Sequence, residues 1–99
     1  MRLTPIVAAL ALLPLGAAAQ ESTMARSLAA TCTNCHGPQG HSVTRSVESL
    51  AGRPKSEIVE AMQAFKSGAK PATVMHQLAK GYTDQQIDTI AGYFAAQRK

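Results

Sequence analysis

The sequence predicts a small all-α domain, three to five short helices joined by long loops and completed by a bound group. Three observations carry that expectation. No stretch alternates apolar and polar residues over strand length with β-branched or aromatic enrichment, whereas several repeat apolar residues at spacings of three and four. A chain of 99 residues has room for one domain. Its large rigid groups are only Phe65, Tyr82, Tyr93 and Phe94, with no Trp, at a size where a core built of side chains alone is marginal. A bound group is the expected supplement.

Residues 1–19 read as an export signal: Arg2, an apolar stretch from Ile6 to Leu15, then Ala17-Ala18-Ala19 before Gln20, with processing expected at Ala19/Gln20. The apolar stretch is shorter than the ~20 residues that span a bilayer and holds Pro14, so a membrane span is not expected once it is removed. Residues 20–99 form the expected domain. It retains nine basic and six acidic side chains, a net +3, with no Lys/Arg run interleaved with aromatics, so nucleic-acid binding is set aside.

A first helix is expected from Ser22 to about Thr31, with Met24, Ala25, Leu28 and Ala29 on one face. Gly37 to Gly52 is rich in Gly, Pro, Ser and Thr and reads as a long loop, the kind that wraps something. Pro54 suits a helix's first turn; Ile58, Ala61, Met62 and Phe65 then form a stripe that Gly68 ends, giving a helix over Pro54 to Ser67. Pro71 opens another loop, carrying Val74 and Met75, with room for a short turn of helix around His76 to Lys80. Thr83-Asp84-Gln85-Gln86 is a capping box, followed by Ile87, Ile90, Ala91 and Phe94 on one face. The terminal helices offer Ala25, Ala29, Gly92 and Ala95 for close crossing.

Cys32-Thr33-Asn34-Cys35-His36 carries the chemistry. CxxCH is the attachment sequence of c-type haem: two cysteines form thioethers to the porphyrin vinyl groups and the adjacent histidine becomes an axial ligand. A thioredoxin-type redox pair is expected near a βαβ pattern, which the chain lacks, and a zinc site needs further ligands beyond Cys32, Cys35 and one of His36, His41 or His76. Outside the cytoplasm covalent haem is the stronger reading, one haem c per chain.

For the opposite axial position four residues compete. Met62 lies on a helical stripe, where methionine is usually core. His41 lies only five residues from His36, and His76 reads as an exposed loop histidine. Met75, in the loop before the last helix, is the expected ligand. His/Met ligation leaves no open position on iron, which points to electron transfer rather than catalysis. Lys66, Lys70 and Lys80 would set positive charge near the haem edge for an acidic redox partner.

From Leu28 to Gln97 the chain resembles the class I cytochromes c. Cys32 to Gly37, Gly40 to Val43, Phe65-Lys66-Ser67-Gly68, Thr73-Val74-Met75, Leu78 to Tyr82 and Ala91 to Phe94 are similar to the single-haem cytochrome subunit of flavocytochrome c sulfide dehydrogenase. The resemblance implies a class I cytochrome c fold wrapped around one haem, thioethers at Cys32 and Cys35, iron ligands His36 and Met75, and a periplasmic location. It also implies a partner, the FAD-containing flavoprotein that oxidises sulfide, with a downstream cytochrome or oxidase receiving the electrons; the chain itself is then no enzyme. Other readings are a diffusible carrier between respiratory complexes and a haem-based sensor or peroxidase-like enzyme. The chain departs from its relatives after the motif: where they carry prolines, one of whose carbonyls accepts the axial histidine's Nδ1–H, it holds Arg45 and Glu48.

Overall fold

The computed structural model describes residues 2–5 and 16–99, with side chains at 2–5 and from 23 onward. The described helices are α1 (Gly16–Ala29), α2 (Thr33–His36), α3 (Lys55–Ser67), α4 (Met75–Lys80) and α5 (Asp84–Ala95), with a 3-10 turn at Pro38–Gly40. Among the described residues there is no strand and no helix long and apolar enough to cross a membrane. The apolar stretch Ile6 to Leu15 lies outside the described residues.

Helix α5 is specified most completely. The Thr83 hydroxyl accepts from Gln86 N at 3.1 Å while Gln86 Oε1 accepts from Thr83 N at 2.9 Å, satisfying two otherwise orphaned donors. Its inward stripe of Ile87, Ile90, Ala91 and Phe94 is buried, Phe94 and Ile87 completely. Each of those two large side chains contributes roughly 1.5–3 kcal/mol by leaving water. Helix α3 begins after Pro54, which has φ −56° and an extended ψ, and ends where Gly68 turns left-handed at φ 84°, its N–H returning to the Phe65 carbonyl. Ile58 and Met62 face inward from it, so Met62 is core as its spacing implies.

α1 packs on α5, and α3 packs on both α4 and α5. The small residues set the first crossing: Ala29 and Ala91 are completely buried. Two details depart from the sequence pattern. α1 runs from Gly16 to Ala29 rather than from Ser22 to Thr31, because the strong helix formers Ala17 to Ala19 extend its start while Cys32 N closes a turn on the Ala29 carbonyl. Met24 is exposed, because the face of α1 that reaches the core runs through Leu28 and Ala29.

Residues 37–52 form the expected loop, anchored by glycine. Gly40 is buried at φ 87°, and its carbonyl accepts from Leu50 N at 2.8 Å and Ala51 N at 3.2 Å. A Cβ there would lie 2.7 Å from the Phe94 ring and 2.9 Å from Ala51 N, so the loop closes on α5 only because this residue has no side chain.

Candidate haem attachment site

Helix α2 is a single turn holding Cys35 and His36, with Cys32 at its N-cap. The turn continues α1 with little interruption, since Cys32 N bonds Ala29 O at 3.0 Å and His36 N bonds Cys32 O at 2.9 Å. Both cysteines are unpaired thiols, Cys32 partly buried against the core and Cys35 exposed. Burial pushes the Cys32 thiol above its ordinary range, with the hydrogen bond to Thr31 pulling the other way. Among the described residues no three His, Cys, Asp or Glu side chains gather as a metal-binding group. The zinc reading therefore finds no ligand set beside Cys32, Cys35 and His36.

His36 is set by one contact. Its Nδ1 lies 2.6 Å from the carbonyl oxygen of Glu48, an acceptor only, so Nδ1 carries the proton and donates it. The lone pair is left on Nε2, the tautomer a metal ligand needs. Glu48 thus provides the carbonyl at a place where the resemblance led one to expect a proline. Its carboxylate turns the other way, toward Arg53 at 3.8 Å, and both groups are largely exposed.

The other three candidates separate cleanly. His41 Nε2 lies 2.6 Å from the Arg98 carbonyl and donates to it, so this ring ties the loop to the C-terminal segment. Met75 is the first residue of α4 rather than part of a loop, partly buried and packed against the core cluster. A helix begins there because Val74 N-caps a turn in which Gln77 N and Leu78 N both return to the Val74 carbonyl. His76 follows on the same helix and is half-buried, not exposed, with its Nδ1 buried and lacking a hydrogen-bond partner. Successive helical residues diverge by about 100°, so Met75 and His76 face different ways. His76 faces a cavity of about 290 Å³ lined also by Phe65, Lys66, Lys70, Pro71 and Lys80; none of Cys32, Cys35, His36 and Met75 lines it.

The basic patch contracts to two residues. Lys66 is partly buried, its Nζ donating to the Tyr82 carbonyl at 2.7 Å and meeting Asp84 at 3.5 Å. Lys70 stacks its ammonium 5.0 Å above the Phe65 ring. Lys80 is exposed.

The residues present fit a covalent haem. Two free thiols at CxxCH spacing precede a histidine whose Nε2 is left available. Val43, in the loop after that histidine, and Val74 and Leu78, beside Met75, are 83%, 55% and 52% exposed, apolar surface that the described residues leave uncovered.

The chain is 40% identical over 67 residues to the cytochrome subunit of sulfide dehydrogenase from Chlorobaculum tepidum, an alignment covering 68% of the chain and 60% of that relative. It is 29% identical over 105 residues to a cytochrome c4 from Azotobacter vinelandii, covering 97% of the chain and 50% of the relative. It is 31% identical over 67 residues to the thiosulfate dehydrogenase electron acceptor of Stutzerimonas stutzeri, covering 65% and 31%. The chain therefore spans about a third to three fifths of the length of these relatives. No protein-family model matches it.

Proposed function

We propose, for a chain with the all-α class I cytochrome c fold and cytochromes c among its relatives, that it is a periplasmic electron-transfer protein carrying one covalent haem c. Cys32 and Cys35 would form the thioethers, and His36 Nε2 and the Met75 sulfur would hold the iron. When bound, the haem supplies a one-electron couple of its iron. The rest falls to the polypeptide. The Glu48 carbonyl holds the His36 ring in one tautomer and orientation, the Gly40 turn closes the loop that presents Glu48, and the packing of α4 on α3 presents Met75. The observation that carries the proposal is the 2.6 Å contact from His36 Nδ1 to Glu48 O, which equips a CxxCH histidine for iron.

The electron donor is a sulfide-oxidising FAD flavoprotein, to which this chain is the non-catalytic cytochrome subunit, and a downstream cytochrome or oxidase takes the electron. The 40% identity to a sulfide dehydrogenase cytochrome subunit supports that partner. A freely diffusing carrier is the second reading, supported by the identity to a cytochrome c4 over 97% of the chain. Residues 1–19 act as a removable export signal, and processing at Ala19/Gln20 takes four residues from the start of α1.

Gentle purification from the source, followed by visible spectroscopy of the native peak and a haem stain after denaturing electrophoresis, tests this. Haem that stays with the denatured chain and co-elutes with flavin near one to one is the expected result. Haem without flavin at low salt moves the assignment to the diffusible carrier, and no haem on the denatured chain overturns the proposal.

A further inference from the structure

Met75 opens α4, and the contacts that tie this helix to the rest of the chain lie just beyond its far end. Helix α4 has only six residues, a rod of about 9 Å. From Pro71 to Gly81 the described backbone hydrogen bonds outside α4's own ladder stay within the segment, as in Gln77 N to Val74 O and Gly81 N to Leu78 O. Met75 and Ala79 give it apolar purchase on the core. The first residue after Met75 with a described polar bond to a distant part of the chain is Tyr82, and it has two. Its carbonyl accepts from Lys66 of α3 at 2.7 Å. Its hydroxyl lies 2.9 Å from the hydroxyl of Thr31, fifty-one residues away and adjacent to Cys32. Thr31 Oγ1 is also 3.4 Å from the Leu28 carbonyl, and either hydroxyl can donate in the Thr31–Tyr82 pair.

From this geometry we infer that Tyr82 is a positioning residue for the distal ligand, and that the Thr31–Tyr82 hydroxyl pair ties α4 to the haem attachment segment and holds the Met75 sulfur on iron. The inference rests on the proposal that Met75 is that ligand. The bond spans the two halves of the site: Thr31 precedes the cysteine on one side, and Tyr82 ends the segment that carries methionine on the other. Without it α4 keeps its apolar packing and the Lys66 bond but loses its tie to the attachment segment. Exogenous ligands then compete more successfully with the thioether.

The test uses the full-length haem-loaded protein and its Tyr82→Phe and Thr31→Val variants, both of which keep the shape of the side chain while removing the hydrogen bond. The sulfur-to-iron charge-transfer band of the ferric protein reports the resting ligand, and imidazole titration reports how firmly it is held. Each variant is expected to keep covalent haem and to bind imidazole about five- to tenfold more tightly, and the double variant to bind it no more tightly than either single one. Gln97→Leu breaks a part-buried bond to Tyr93 O at the other end of α5 and is expected to leave imidazole affinity unchanged, which separates ligand positioning from general loosening. If the band is present and both variants bind imidazole as the unmodified protein does, or if Gln97→Leu raises the affinity equally, the inference fails while the ligand assignment stands. If the unmodified protein lacks the band, the Met75 assignment fails and the inference falls with it.

Discussion

Residues 37–52 and 68–82 are segments of similar length and similar poverty in large apolar side chains, yet they are fixed by different means. The first is stitched to the protein along its whole length. The His36 ring meets Glu48 O, the Gly40 carbonyl takes Leu50 N and Ala51 N, the His41 ring meets Arg98 O, and Gly52 N meets Phe94 O. The second is tied near its ends, by Lys70 N to Ala64 O at one and by Tyr82 at the other, with α4 between them. The difference is one of kind. His36 is oriented by the loop that follows it, in one step, whereas Met75, in the ligand role proposed for it, would depend on a corner seven residues away.

The largest effect is expected from removing the group that both segments are proposed to enclose. Replacing Cys32 and Cys35 together by Ala is expected to abolish covalent haem completely, read as loss of the haem stain on a denaturing gel, and to leave a chain too small in core to fold fully, read by far-ultraviolet circular dichroism. Gly40→Ala strikes the proximal segment alone. A Cβ at φ 87° against the Phe94 ring is expected to cost roughly 2–4 kcal/mol, measured as a shift of the urea midpoint with the slope unchanged.

Met75→Ala strikes the distal segment alone. Haem should remain attached and the fold should survive, while the sulfur-to-iron band disappears and external ligands bind the ferric form. The potential should fall, as axial ligands tune haem over roughly 0.8 V. An unchanged spectrum would remove Met75 from its role. Ranked this way, a proximal lesion shows first in stability and a distal one first in ligand exchange, and the reverse pattern would dissolve the distinction.

Set beside the structure, some features were legible in the amino-acid sequence and others were not. The capping box at Thr83, the Gly68 stop and the Ile87/Ile90/Ala91/Phe94 stripe are local patterns whose meaning does not depend on what packs against them, and each is found as written. CxxCH likewise carries its chemistry in its spacing. The proximal hydrogen bond was hidden because every residue has a carbonyl; the identity of Glu48, read against a proline, says nothing about whether its backbone oxygen lies in reach of His36. Helix α4 beginning at Met75, and Lys66 turned inward rather than displayed, were hidden for a related reason. Lys66 depends on partners far along the chain, Tyr82 and Asp84, and the short α4 on its packing against α3. The Thr31–Tyr82 pair left no trace in spacing.

The smallest expected effect sharpens the account of the distal corner. Asp84 is held below the usual carboxylate range, first by the Gln63 amide at 2.9 Å and then by Lys66. A carboxylate depressed in the folded state adds stability above its unfolded pKa and loses it as pH falls through its folded one. Asp84→Asn should therefore be slightly less stable than the unmodified protein at neutral pH, with the gap beginning to narrow as pH falls below about 4 and closing only once pH has passed below the lowered folded-state value, where both chains carry a neutral side chain. Urea titrations of both proteins in steps from pH 7 into the acid range measure it, and a gap that does not narrow at all as pH falls would mean the contact is one of shape and not of charge.

The stitch between His41 and Arg98 spans fifty-seven residues, and beside it Gly52 N reaches Phe94 O. Contacts so distant along the chain are made late, because the ends of a long stretch must find each other first. A nascent polypeptide that has emerged as far as residue 90 already displays both thiols and the histidine, but the segment behind that histidine has no fixed seat until the last residues arrive. The proposed attachment chemistry and final folding would thereby be separated in time: the cysteines would be accessible while the chain is still open, and residues 94–98 would lock the loop afterwards.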